Sequence, residues 1–138
     1  MNVAVDDLTG GCLCGAVRYR LSEPPVDAIY CHCTRCQRRA GVAATVNAMV
    51  VPGSVEITSG AELIHCYVPP DGSPKCFCSE CGSGLWSKDR ETGEIRGVRM
   101  GTFDSDPGVR PSRRHYVDFA APWEPIPDDG LPRYAERR

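Results

Sequence analysis

The chain has 138 residues, a length that fits one domain with a hydrophobic core of its own. Hydrophobic residues make up 41% and charged residues 25%, which is the composition of a globular domain and excludes a largely disordered chain. The formal net charge of -2 gives no basis for binding nucleic acid, and no apolar run approaches the ~20 residues of a membrane span. The first residues show no signal-peptide pattern, so we expect a cytoplasmic protein. From the charge and the lack of a long apolar run, we expect neither a nucleic-acid nor a membrane partner.

The first half of the chain predicts short strands and one short helix. Residues 16–21 alternate apolar and basic side chains, which indicates a half-buried strand. Thr34 to Ala40 predict one or two helical turns, with Thr34 as the N-cap and Gly41 as the stop. Residues 42–51 are apolar and β-branched enough for a buried strand, which Pro52 and Gly53 end.

The second half predicts further strands and no second helix. These strands cover residues 55–58, 63–68, 85–87, 95–100 and, as the last one, 115–119. Strands at intervals of about ten residues, separated by turn residues, are typical of an all-β protein. We therefore expect residues 1–138 to form a single all-β domain with at most one short helix.

Cysteines are abundant, and eight of the nine lie in clusters. The first cluster has the spacing C-x-C and contains Cys12 and Cys14. The other two share the spacing C-x-C-x-x-C; the second contains Cys31, Cys33 and Cys36, and the third contains Cys76, Cys78 and Cys81. Sulfurs at this spacing reach one ion from a tight turn, and an all-thiolate ligand set favours zinc. Gly15 and Gly82 directly follow such cysteines and supply the positive φ that turns of this kind use. An iron–sulfur site and a redox C-x-x-C are the chemical alternatives.

The odd number of cysteines favours metal binding over disulfides in a reducing compartment. Cys66 stands apart from the clusters, and its simplest interpretation is a small buried apolar residue. We therefore expect the cysteines to be thiols or metal-bound thiolates, and we expect no disulfide.

Four segments together resemble the glutathione-dependent formaldehyde-activating enzyme family, whose domain also occurs in centromere protein V. They are GGCLCGAVRY, CHCTRCQRRAG, FCSECGSGLW, and HYVDFAAPW followed by DDGLPRY, and the resemblance spans about residues 9–134. It implies a β-tent, an all-β fold of two or more antiparallel sheets around a structural zinc site. It also implies two zinc ions per chain.

The resemblance divides the cysteines between two sites. Cys12, Cys14, Cys78 and Cys81 correspond to the family's structural four-thiolate zinc site, and Cys31, Cys33 and Cys36 correspond to a three-ligand zinc site that acts on thiol adducts. The spacing agrees with this division. A site that joins residue 12 to residue 81 closes a long loop and stabilises the fold, whereas ligands within six residues close almost no loop.

The implied activity is that of a carbon–sulfur lyase, which forms or cleaves S-hydroxymethylglutathione-like adducts of a small thiol and a small aldehyde. Three thiolates leave zinc with a net charge of about −1, so a soft incoming thiol suits the fourth position better than water does. Arg35, Arg38 and Arg39 form a basic patch beside this site that could bind glutathione carboxylates, offset the anionic cluster or face solvent. The alternative function is a non-catalytic zinc module that binds a thiol such as glutathione or a partner protein.

Cys76 has no assigned place in the family pattern. Three interpretations stay open: a thiol that binds no metal, an extra ligand at either site, or a redox role. A ligand at the second site would close it and put catalysis in doubt.

Overall fold

The computed structural model describes residues 8–136, in which the secondary structure is mostly strand. The strands are β1 (Thr9–Gly11), β2 (Arg18–Leu21), β3 (Asp27–Cys31), β4 (Thr45–Met49), β5 (Val55–Ser59), β6 (Ile64–Tyr67), β7 (Lys75–Cys78), β8 (Gly84–Lys88), β9 (Ile95–Arg99) and β10 (Pro111–His115). One α-helix, α1 (Thr34–Ala40), and 3₁₀ turns at Ala61–Leu63, Met100–Thr102 and Val117–Phe119 complete the described secondary structure. The predicted all-β fold with one short helix is confirmed.

The strands form two sheets. The smaller sheet has the order β1-β2-β5, and the larger has the order β10-β3-β4-β9-β8-β7-β6. All pairs are antiparallel except β10 with β3, which run parallel. The expectation of purely antiparallel sheets is therefore wrong at this one edge.

The hydrophobic core lies between the two sheets. Tyr19 and Leu21 of β2 are fully buried, because the alternation of the RYRL segment turns its arginines away from the core. The Tyr19 ring meets the edges of Trp86 and Phe103 at centroid distances of 5.6 and 5.8 Å. Its hydroxyl lies 2.7 Å from the Thr102 hydroxyl, so the polar end of this core residue is satisfied.

The larger sheet has two chemically different faces. Paired residues Ala48, Val98, Trp86 and Cys76 form a row across the core face and are at most 2% exposed. The opposite face carries Cys31 and Thr45, paired with each other, followed two residues along by Asn47, which pairs with Arg99. Because side chains alternate across a strand, the two rows point in opposite directions.

Helix α1 begins and ends on identifiable caps. The backbone N–H of Cys36 donates to the Cys33 sulfur at 3.4 Å, so Cys33 is the N-cap instead of the predicted Thr34. Gly41 ends the helix in the left-handed conformation with φ 68°, as predicted, and its N–H bonds the Gln37 carbonyl at 2.7 Å.

The last predicted strand, residues 115–119, is misplaced. The strand is β10, which ends at His115, because Tyr116 adopts a positive φ of 59° and starts the turn at Val117–Phe119. No helix in the described residues 8–136 is long and apolar enough to cross a membrane.

Candidate metal centres

Two similar turns bring four cysteines together. In both turns the first cysteine donates its N–H to the carbonyl five residues later, Cys12 to Val17 at 3.1 Å and Cys78 to Ser83 at 3.0 Å. Gly82 has a φ of 77° and returns its N–H to the Cys78 carbonyl at 2.8 Å, which is the positive-φ turn that the sequence predicts. Each turn therefore presents two cysteines on one side.

The four sulfurs have the spacing that a metal ion requires. Those of Cys12, Cys14, Cys78 and Cys81 all lie within 4.8 Å of one another. The Cys12–Cys14 and Cys14–Cys78 sulfur distances are 3.5 and 3.9 Å. Tetrahedral zinc with thiolate bonds of about 2.3 Å separates its sulfurs by about 3.8 Å, so the cluster fits such an ion.

Donors around this cluster favour thiolates. The Val17 N–H donates to the Cys12 sulfur at 3.3 Å, and the Ser83 hydroxyl lies 3.2 Å from the Cys81 sulfur. The hydroxyl and backbone N–H of Ser83 lower the pKa of the Cys81 thiol to about 5. Ser83 also accepts the Leu13 N–H at 2.9 Å and so links the two turns.

The second cluster forms where β3 passes into α1. Cys31, Cys33 and Cys36 have sulfurs within 4.8 Å of one another, and Cys36 is buried. The neighbouring thiols of Cys31 and Cys33, the Thr45 hydroxyl and the charge of Arg99 lower the pKa of Cys36, against the effect of burial. The neighbouring thiols of Cys33 and Cys36, together with burial, raise the pKa of Cys31, so negative charge concentrates on the Cys36 sulfur.

A cationic cleft lies near this cluster: none of the three cysteines lines it, but the charges of its Arg39 and Arg99 interact with Cys36. It has a volume of about 540 Å³ and lies between the end of α1 and the β7–β8 turn, lined by Arg39, Ala40, Phe77, Gly82, Gly84 and Arg99. The Arg39 guanidinium lies 5.4 Å from the centre of the Phe77 ring, within cation–π range. The Arg99 guanidinium donates to Oδ1 of the Asn47 side chain at 2.9 Å, which holds it on the cluster face of the sheet.

Lys75 adds a third cation on this face. It pairs with Ser87, which pairs with Gly97, two residues before Arg99. Burial lowers the pKa of Lys75, while the charge on the three cluster cysteines, Cys36 foremost, raises it. Sequence reasoning missed Lys75 and Arg99, although their alternation with buried Cys76 and Val98 indicates that they share the opposite face.

The predicted basic patch divides in the structure. Arg35 donates to the Asp71 carboxylate at 2.5 Å and to the Asp71 carbonyl at 3.2 Å. Arg38 is exposed, and of the three only Arg39 lines the cleft. His32 lies on the other face of the sheet, where its Nε2 is 3.1 Å from Arg114, so it does not join the cysteines that flank it.

Cys66 and Cys76 form a disulfide bond between paired positions of β6 and β7. Cys76 is therefore neither a free thiol nor an extra metal ligand, because its sulfur is bonded to carbon and to another sulfur. Cys66 is exposed, so its interpretation as a buried apolar residue is also wrong. The expectation that the chain holds no disulfide fails for the same reason: strand pairing brings these two sulfurs together.

An all-β scaffold with two compact groups of cysteine sulfurs defines a candidate metalloprotein of the thiolate-cluster class. The family model described as glutathione-dependent formaldehyde-activating enzyme matches residues 7–118. The chain belongs to this family, as the sequence motifs predict.

One relative agrees with this assignment, and one solved structure shares the fold. A Halomonas elongata protein, provisionally named a glutathione-dependent formaldehyde-activating enzyme, is 34% identical over 116 residues, which cover 80% of this chain and 74% of that protein. The crystal structure of a Rhodobacter sphaeroides protein matches with a TM-score of 0.54 and 24% identity, over 91% of this chain and 98% of that one. The second likeness shows the shared fold.

Proposed function

We propose that the chain is a zinc enzyme of the carbon–sulfur lyase type, which forms or cleaves adducts of a low-molecular-weight thiol such as glutathione with a small aldehyde such as formaldehyde. The observation that carries this proposal is the three-thiolate cluster of Cys31, Cys33 and Cys36 beside a cationic cleft. Family membership supports the substrate class. The proposed place of action is the cytoplasm.

The two clusters have different proposed roles. Cys12, Cys14, Cys78 and Cys81 offer four sulfurs and form a closed structural zinc site, whereas Cys31, Cys33 and Cys36 offer three sulfurs and leave one position open. When bound there, zinc supplies a soft Lewis acid that stabilises a substrate thiol as its thiolate. One zinc ion at each cluster gives two per chain.

Cations near the cluster recognise the rest of the thiol. Glutathione carries two carboxylates, and Arg39, Arg99 and Lys75 are the cations that face the cluster. The Arg99 guanidinium is half-buried, and such a group forms stronger hydrogen bonds to carboxylate than a fully solvated one does. Arg35 is engaged by Asp71, so Arg35 and Arg38 are not assigned a substrate carboxylate in this proposal.

The reaction joins the thiol sulfur to the aldehyde carbon. The carbonyl π bond breaks, and the proton lost by the thiol ends on the former carbonyl oxygen, which gives an S-hydroxymethyl thioether; the reverse step cleaves the carbon–sulfur bond. Formaldehyde is reactive, so the chain's contribution is to hold the thiol deprotonated and to bind it in a defined orientation. Orientation alone can supply a large rate gain.

The test measures adduct exchange between glutathione and formaldehyde by NMR, above the spontaneous rate. We expect Cys33→Ser to abolish the enzyme-dependent rate with the fold retained. We expect Arg99→Met to raise the KM for glutathione about tenfold, the effect of one lost charge-assisted hydrogen bond. Arg38→Met removes an exposed cation of α1 that does not line the cleft; it is the control and should change little.

Two outcomes would contradict the proposal. If the fully metallated wild type shows no rate above the spontaneous one but binds glutathione, the chain is the non-catalytic thiol-binding module. If Arg38→Met and Arg99→Met change the KM equally, the cleft is not the carboxylate site.

A further inference from the structure

The Cys66–Cys76 disulfide lies outside both cysteine clusters and has no part in the proposed lyase reaction. It joins β6 to β7 at directly paired positions. In the described residues β6 is one of the two edge strands of the larger sheet, with β7 as its only strand neighbour. One sulfur of the bond therefore belongs to an edge and the other to a strand paired on both sides.

The two cysteines differ sharply in access. Cys76 is 1% exposed and pairs with buried Trp86 on its other side, whereas Cys66 is exposed at the end of the same row. A thiolate that attacks a disulfide must approach one sulfur and expel the other. The burial pattern opens the approach to Cys66 and makes Cys76 the leaving group.

The bond also closes a loop that touches helix α1. Within residues 66–76, Asp71 accepts from Arg35 of α1 at 2.5 Å, and the Pro69 carbonyl accepts from Arg90 at 2.6 Å. Lys75, next to Cys76, interacts electrostatically with the thiols of the second cluster. The disulfide thus constrains a segment that contacts the helix carrying Cys36.

We propose that Cys66 is a thiol-exchange site, at which a low-molecular-weight thiol opens the disulfide and releases the loop from α1. The attacking thiolate forms a new sulfur–sulfur bond with Cys66, the Cys66–Cys76 bond breaks, and its electron pair leaves as the Cys76 thiolate. A second thiol at Cys66 then releases the oxidised thiol dimer and leaves both cysteines reduced. The reductant is the thiol itself, so the step balances without another partner.

The first experiment locates the exchange on the full-length, metal-loaded protein. It is treated with reduced glutathione, its free thiols are then alkylated, and its peptides are mapped by mass spectrometry. In samples alkylated before the second thiol reacts, we expect glutathione on Cys66 and the alkyl group on Cys76, and at later times the alkyl group on both. Glutathione on Cys76 would overturn the proposal. An intact disulfide in protein whose cluster cysteines have been alkylated would overturn it as well.

Single substitutions compare the two sulfurs directly. With glutathione disulfide as the probe, we expect Cys76→Ser to be labelled about tenfold faster than Cys66→Ser, because thiol reactivity depends on access. Equal labelling rates in two folded variants would contradict the asymmetry. If Cys76→Ser does not fold, the wild-type peptide map still decides the site of attack.

The link to α1 has its own measurement, amide hydrogen exchange of residues 34–40. Opening the disulfide should speed this exchange in the wild type. The Asp71→Asn variant keeps the disulfide but weakens the contact with Arg35. Its amide exchange in residues 34–40 should be faster before the disulfide opens and should increase less when it opens. No change in the wild type would show that the loop does not restrain the helix. Because none of these readouts involves aldehyde turnover, they remain informative if the lyase proposal fails.

Discussion

The two cysteine clusters use similar sequence spacings but collect their sulfurs in different ways. One takes Cys12 and Cys14 from the first turn and Cys78 and Cys81 from a turn far along the chain, whereas the other takes all three sulfurs from the junction of β3 and α1. The unfolded chain must close a long loop for the first and almost none for the second. Metal binding should therefore be coupled to global folding at the four-thiolate cluster and to local order at the three-thiolate cluster.

The largest expected effect comes from removing one sulfur of each cluster. Cys14 is exposed, so Cys14→Ser changes little in packing, yet it should prevent folding or lower the melting temperature severely. The reason is that structural zinc contributes ~10–16 kcal/mol of apparent binding free energy to folding. Cys33→Ser should keep the far-UV spectrum and a melting temperature close to that of the wild type. Circular dichroism at the same zinc concentration in the buffer measures both effects. A Cys14→Ser protein that melts like the wild type would contradict the structural role of the four-thiolate cluster.

A chelator should remove the metal from the two clusters one after the other. We expect the three-thiolate cluster to lose its metal first, because its open position admits a competing ligand. Hydrogen exchange should then increase in α1 while the Trp86 core stays protected. Simultaneous loss of both metals with global unfolding would show that the clusters are not independent.

The smallest effect comes from strain placed near each cluster. Gly82 and Gly41 both have positive φ, and a Cβ built on either meets no atom within 4 Å, so alanine adds backbone strain of roughly 1–2 kcal/mol and no clash. Gly82→Ala should lower the melting temperature, because its turn belongs to the long-range cluster. Gly41→Ala should mainly fray α1, which hydrogen exchange measures. A larger melting shift for Gly41→Ala would reverse the assignment of global and local roles.

Features encoded within a few residues could be predicted from the sequence. The grouping of Cys31, Cys33 and Cys36, the bounds of α1 and the left-handed stop at Gly41 depend on local chemistry and agree with the structure. The alternation of β2 likewise predicts the burial of Tyr19 and Leu21. In each case the deciding interactions lie within one turn or one strand.

Features that depend on strand register could not be predicted in the same way. The placement of Lys75 and Arg99 on the cluster face requires four strands to pair in a particular order, and the parallel contact of β10 with β3 joins distant segments. The sequence does contain a pattern that predicts the Cys66–Cys76 bond. The two cysteines lie at equal sequence distances from Asp71, which belongs to a Pro-Pro-Asp-Gly turn. A hairpin centred there pairs them directly.

The two-faced sheet has a consequence for protein engineering. Along β4, Thr45 and Asn47 belong to the cluster face, while Val46 and Ala48 point the other way, and β9 continues this division with Arg99 and Val98. Mutagenesis libraries restricted to alternate positions can therefore vary the cluster face while the packed side keeps its composition. One strand then offers separate sets of positions for altering ligand preference and for raising thermal tolerance.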